Sequence, residues 1–166
     1  MKTRTPACLA AVLVIATATA CSPSEKKEQP TDMKSASEAE ITGQVNQHAN
    51  QVAALVGNPL FNPATNSAPC SGRDGEMDEK IRTVQGAYNI NLAADTHVDT
   101  LARIRDQWRV QGWTITEDIT SPNGKEGALA AKTTPDGYSI SLTSTSPPTA
   151  LALLVNSPCY RSTDPL

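Results

Sequence analysis

Few residues in this 166-residue chain are suited to chemistry. Its two histidines, His48 and His97, belong to no H-E-x-x-H pair, and metal sites use His together with further ligands at set spacing. His48 falls on or near the apolar edge of one helical pattern. His97 falls at the first position of another, where an exposed first-turn side chain is expected. No G-x-S-x-G nucleophile elbow occurs. A hydrolytic enzyme would therefore need an acid/base pair that the fold alone brings within hydrogen-bond reach. Asn123-Gly124-Lys125-Glu126 contains the Gly-Lys of a phosphate loop, but Glu126 stands where that loop requires Ser or Thr, and Ile119 where it requires Gly. It reads as a hairpin turn. Residues 74–79 ("DGEMDE") invite a calcium reading, yet Gly75 is misplaced for an EF-hand loop, and a solvated acidic loop is expected. Trp108 and Trp113 could form a platform for a ring ligand; core packing is the expectation, because aromatic residues dominate small cores. Arg103, Arg105 and Arg109 have Asp99 and Asp106 beside them and read as a solvated face rather than an anion site. The sequence calls for no metal and no cofactor.

The N-terminus carries chemistry of another kind. Lys2 and Arg4 precede a short apolar run, Leu9 to Ala16, followed by small residues to Ala20. This is the pattern of a secretory signal peptide over 1–20. The apolar run is far short of the ~20 residues that span a bilayer. The segment Ala18-Thr19-Ala20-Cys21 resembles a bacterial lipobox, with Ala18 where Leu is commoner. The resemblance implies that the Cys21 thiol receives a diacylglycerol and that cleavage occurs just before it. An ordinary signal peptidase accepting the A-x-A site would instead leave Cys21 as a thiol. The chain has four cysteines, Cys8, Cys21, Cys70 and Cys159. Cys8 leaves with the signal peptide. If Cys21 is lipidated, Cys70 and Cys159 remain as one pair. A thiol at Cys21 would leave an exported protein with an odd cysteine, which is disfavoured. Export favours a Cys70–Cys159 disulfide. It would close a loop of about 90 residues, contributing on the order of 4–5 kcal/mol in the chain-entropy model.

The chain has 14 Lys+Arg against 17 Asp+Glu; losing Lys2 and Arg4 leaves 12 against 17, a net charge of −5. No basic patch of the kind nucleic acids require is present, so no nucleic-acid partner is expected. Membrane attachment would come from lipid at Cys21 rather than from a polybasic segment.

The elements follow from periodicity. Residues 22–36 are polar, with Pro23 and Pro30, and read with Cys21 as a lipid-anchored flexible tether, 21–36. Ile41, Val45, Ala49, Val52 and Val56 recur at helical spacing and predict a helix over 37–56, ended by Gly57 and Pro59. Residues 57–80, rich in Pro, Gly, Asn and Asp, read as irregular. Val84, Gly86, Tyr88, Ile90 and Leu92 alternate as one face of a strand. A second helix is predicted over 96–111, with Thr96 as N-cap, Asp99 completing a near capping box, and Val98, Leu101, Ile104 and Trp108 as its buried stripe. Strands follow over 113–119, 128–133, 138–143 and 151–155, the middle ones joined by the turn residues of "SPNGKEG" and "TPDG".

The order predicts an α+β fold, a two-layer sandwich with two helices packed on one face of a mostly antiparallel sheet of about five strands, forming a single domain over 37–166. The face opposite the helices would carry Asn89, Asn91, Thr114, Thr116, Ser139, Ser141 and Thr143. This is either a wet sheet face or a contact surface with adaptable hydrogen bonds. "PCSG", "LARIRDQWRVQGWTI", "TPDGYSISLTS" and "SPCY" together give a layout of Cys, strand, helix with an aromatic–Gly exit, strands and Cys. It resembles small actinobacterial lipoproteins, including mycobacterial ones of the Lpp type. That resemblance implies an envelope location and a disulfide, and no particular chemistry. The functional expectation is a membrane-anchored, extracytoplasmic, non-enzymatic domain that binds a partner, such as another envelope protein. The alternative is a carrier holding a lipid or other small hydrophobic ligand between helices and sheet.

Overall fold

The computed structural model describes residues 33–71 and 77–165. The expected signal peptide, Cys21, most of the tether and residues 74–76 of the acidic loop lie outside the described residues. Strand β1 (Ser35–Ala36) leads into helix α1 (Glu38–Val56). Two long strands follow, β2 (Leu60–Ser71) and β3 (Met77–Asn91). After a 3-10 turn at Ala94–Thr96 comes α2 (His97–Val110). The chain then runs through β4 (Thr114–Thr120), β5 (Gly127–Lys132), β6 (Ser139–Ser144), β7 (Ala150–Asn156) and β8 (Tyr160–Ser162).

The fold is α+β, with two helices and a mostly antiparallel sheet, but the sheet has eight strands rather than about five. One edge of β3 carries β2. Its other edge carries β7 at Gln85–Asn91 and β8 at Ile81–Arg82. From β7 the sheet continues through β6 and β5 to β4, and β1 adds to β8 in parallel. The largest correction falls on residues 57–80, expected to be irregular, where β2 and the start of β3 form a long hairpin. The cause is edge placement. Proline is tolerated on an edge strand, which need not donate on its free side. Pro63 sits in a register break after Asn62, which has a φ of 48°. The opening of β3, Met77–Lys80, is exposed and so shows no apolar alternation. Ser35 and Ala36, read as tether, are strand, and Ala36 is buried.

Both helices cover the same face of the sheet. Ser37 caps α1, its hydroxyl accepting from the Glu40 amide at 3.2 Å. Gly57 ends the helix in the left-handed region. The α1 stripe is the expected one, Ile41, Val45, Ala49, Val52 and Val56, all buried. It meets Val84, Tyr88 and Ile90 in one continuous core. Gly86 lets the helix sit close. A Cβ there would lie 2.5 Å from the Tyr88 hydroxyl and 2.6 Å from Val45 Cγ1.

Helix α2 buries Leu101, Ile104 and Trp108 of the expected stripe and differs at its start. Its buried residues are His97, Thr100, Leu101, Ile104 and Trp108, with Val98 only half-buried. Thr96 makes no side-chain cap; its hydroxyl instead donates to the Ala93 carbonyl at 2.8 Å. His97, expected to be exposed, is fully buried. Its Nε2 faces the Leu92 carbonyl at 3.2 Å and its Nδ1 the Ser144 hydroxyl at 3.0 Å. A carbonyl only accepts, so Nε2 carries a proton; in the neutral ring Nδ1 then accepts from Ser144. The side chain pins the start of α2 to the ends of β3 and β6.

Cys70 and Cys159 form a disulfide across a sequence separation of 89. It ties the β2–β3 arm to the segment entering β8. No helix among the described residues is long and apolar enough to cross a membrane.

Candidate functional site

Two regions bring functional side chains together. The first lies on the helix face, where α1 crosses the β5–β6 turn. His48 Nε2 lies 3.0 Å from Asp136 Oδ2. Asp136 also accepts a hydrogen bond from the Thr133 hydroxyl, and that hydroxyl accepts from the Tyr138 amide at 2.8 Å. The Tyr138 hydroxyl donates to Gln44 Oε1 at 2.6 Å. The His48 ring packs 4.5 Å from the Tyr138 ring, centroid to centroid, and edge-on to Trp113, which stacks on Trp108 at 5.3 Å. Burial pushes the Tyr138 phenol up to about 12, with Asp136 and then Glu40 adding to the shift. Burial alone raises Tyr88, whose hydroxyl donates to Asn46 at 2.7 Å.

This is the acid/base pair that sequence could not place. It lacks a nucleophile: the free nitrogen, His48 Nδ1, is buried without a partner, and the Thr133 hydroxyl is committed to Asp136. Covalent catalysis needs a base in reach of a reacting hydroxyl or thiol. The cluster reads as the lock between α1 and the β5–β6 turn. Beside it, a cleft of about 400 Å³ opens between the helices, lined by Gln51, Val52, Ala54, Leu55, Trp108, Gln111 and Trp113. Trp108 is fully buried and its Nε1 has no partner. A second, shallower depression of about 540 Å³ lies at Asn58, Asn91 and Leu92. Among the described residues no group of three or more His, Cys, Asp or Glu is placed to hold a metal.

The second region is the opposite face of the sheet. Residues directly opposite in an antiparallel ladder share a face, so the registers lay that surface out in rows across β2, β3, β7, β6, β5 and β4. One row reads Phe61, Asn89, Ala152, Thr143, Ala128, Ile119. The next reads Ala64, Ala87, Leu154, Ser141, Ala130, Glu117. The third reads Asn66, Gln85, Asn156, Ser139, Lys132, Thr114. Both helices pack on the other side, which leaves these rows to solvent.

Most residues expected on this face are there. Asn89, Ser139, Ser141, Thr143 and Thr114 stand in the rows, and Asn91 lies one step beyond, opposite Ala150. Thr116 does not join them. It is the extra residue of a bulge between Ile115 and Glu117. The bulge reverses the rest of β4. It turns Asp118 toward α2, where Arg105 reaches it at 3.3 Å, and turns Ile119 outward, 55% exposed.

Sequence reasoning missed the apolar members: Phe61, Ala64, Ala128, Ala130, Ala152 and Leu154. The rows hold eight apolar residues and only two charged ones, Glu117 and Lys132. A sheet face meant only for water alternates with polar residues; β6 does so, while β5 and β7 send Ala128, Ala130, Ala152 and Leu154 outward. The signal was present in "LALLVN", where Leu151, Leu153 and Val155 point inward and so send Ala152 and Leu154 outward.

Cys70 and Cys159, expected as a disulfide, are joined. No protein-family model matches the chain, and no curated protein or solved structure is similar to it.

Proposed function

We propose that the chain is a membrane-anchored, extracytoplasmic, non-enzymatic domain that presents its uncovered sheet face to a protein partner. The observation that carries this reading is the composition of that face: mostly small side chains, only two charges in its three rows, and Leu154 and Ile119 exposed. The disulfide is compatible with an oxidising compartment. The anchor reading rests on the lipobox-like run ending at Cys21.

Crosslinking in membranes, followed by mass spectrometry, tests the partner reading. A reproducible crosslinked species should form and should disappear with Leu154→Asp. A chain that captures nothing reproducible ends the reading. The intact mass of the membrane form tests the anchor, which predicts a chain beginning at Cys21 and carrying acyl groups; a mature mass without them overturns it.

A second reading, a carrier of a small hydrophobic ligand, is favoured by the cleft beside Trp108, whose volume lies within the range of small-molecule sites. Native mass spectrometry of the freshly isolated protein should then show a bound molecule that Trp113→Ala releases.

A further inference from the structure

The charge-poor face is organised as well as exposed, and its organisation names an occupant. In the row through Asn89 the bulk stands at the two edges, Phe61 on β2 and Ile119 on β4, with small residues between. Each of the two charges has only neutral neighbours in its row, Ala130 beside Glu117, and Ser139 and Thr114 beside Lys132. We propose that this face stacks on the same face of a second copy of the chain, about a two-fold axis parallel to the strands and lying over the β7–β6 boundary. The proposal rests on the reading of the face as a partner surface.

Such an axis sets each strand over its counterpart counted from the opposite edge: β2 over β4, β3 over β5, β7 over β6. Leu154 then lies over Ser141 of the second copy and Ala87 meets Ala130, while Phe61 and Ile119 approach each other to within about one residue pair along the edges. Lys132 falls over Gln85, and Glu117 within about one residue pair of Ala64. No charge meets its like, and only Lys132 and Gln85 set two long side chains face to face inside the edges. A closed two-fold contact requires this self-complementarity. Aligned sheets cross at roughly 30°, which slides the edge pairs along the strands by about one residue pair and leaves those nearer the axis in register.

The area is adequate for a modest dimer. Six strands about 4.8 Å apart and three rows about 7 Å apart cover on the order of 600 Å² per copy. The total of ~1,200 Å² is at the lower end of specific interfaces. Two copies anchored in one membrane would meet at a raised effective concentration, so a contact this small suffices there.

Sedimentation equilibrium of the full chain, in density-matched detergent, tests the proposal. The weight-average mass should climb from monomer toward dimer with concentration. Ala87→Lys and Ala130→Glu should each weaken association at least tenfold. An equimolar mixture of the two variants should recover it, because position 87 of one copy faces position 130 of the other. Within one chain these two positions are three strands apart, with β7 and β6 between them, and cannot pair. If either variant fails to fold by circular dichroism, Thr143→Lys, at an exposed position, must weaken the dimer in its place. A chain that stays monomeric at every concentration, or a dimer indifferent to these substitutions, overturns the proposal. A monomer whose membrane crosslinks are still lost with Leu154→Asp removes the second copy and keeps the partner face. A monomer without crosslinks removes both.

Discussion

The same strands carry two faces governed by different constraints. On the helix side, side chains interlock: Val84, Tyr88 and Ile90 of β3 and Leu151, Leu153 and Val155 of β7 are buried to within a few per cent, and a single glycine sets the approach of α1. On the other side, the residues between them are Gln85, Ala87 and Asn89 of β3 and Ala152 and Leu154 of β7, with Ala87 opposite Leu154 and Asn89 opposite Ala152 across the ladder. The inner face is specified by volume, the outer by mostly small side chains and few charges. Substitutions should therefore separate the two, with folding lost on one side and association on the other.

The largest effect is expected at Trp108. It is fully buried against α1 and Trp113, and Trp108→Ala should cost about 3–5 kcal/mol of stability in denaturant unfolding, the range for removing a large buried aromatic. Trp108→Phe should cost much less than the loss of volume suggests, because it also removes an indole N–H that has no partner. Equal losses in the two variants would mean that the N–H is satisfied in solution.

Gly86→Ala comes next. The added methyl would fall 2.5 Å from the Tyr88 hydroxyl and 2.6 Å from Val45. Overpacking of this kind costs about 1–3 kcal/mol. The same change one residue on is already native, since Ala87 faces outward. A Gly86→Ala variant with an unchanged unfolding midpoint would show that α1 can lift from the sheet without loss.

A pH titration probes the inner face without mutation. The folded state holds Tyr138 neutral, its pKa raised from 10.0 to about 12, first by burial and then by Asp136 and Glu40. The contribution to stability is fully present below about pH 10 and is lost as pH rises through about 12. Tyr138→Phe should flatten that alkaline loss while removing the bond to Gln44. An unchanged alkaline profile would assign the loss to other groups.

The inner face was largely legible in the sequence because burial on one side writes a period into the chain. The α1 stripe and the alternation in β3, β6 and β7 are that signal. Where burial is absent the period fails. Strand β2 is exposed or half-buried along nearly all its length and reads as a proline-rich loop. The bulge at Thr116 is invisible because every residue of β4 after it is exposed. His97 was misplaced because a polar residue satisfied by a carbonyl and a hydroxyl leaves no apolar mark. The candidate face was half legible: its Ser, Thr and Asn could be read, while its alanines and Leu154 resembled core.

The smallest expected effect is the most informative about the outer face. Ser141 stands at the centre of the middle row, opposite Ala130 on one side and Leu154 on the other. Its side chain is half-buried by these neighbours. Replacement by Ala removes a hydroxyl from a surface already rich in alanine and leaves the ladder intact, so Ser141→Ala should change unfolding stability by no more than ~0.5 kcal/mol. The same substitution makes the face smoother and less hydrated, and contact between two such faces should be retained or slightly strengthened. A loss of stability well beyond that range would mean that Ser141 is held by a bond inside the fold, and that the two faces are not as independent as their packing indicates. A loss of association with stability unchanged would instead place the hydroxyl at the contact itself, as one of the few polar groups on this face that must find a partner when water is excluded.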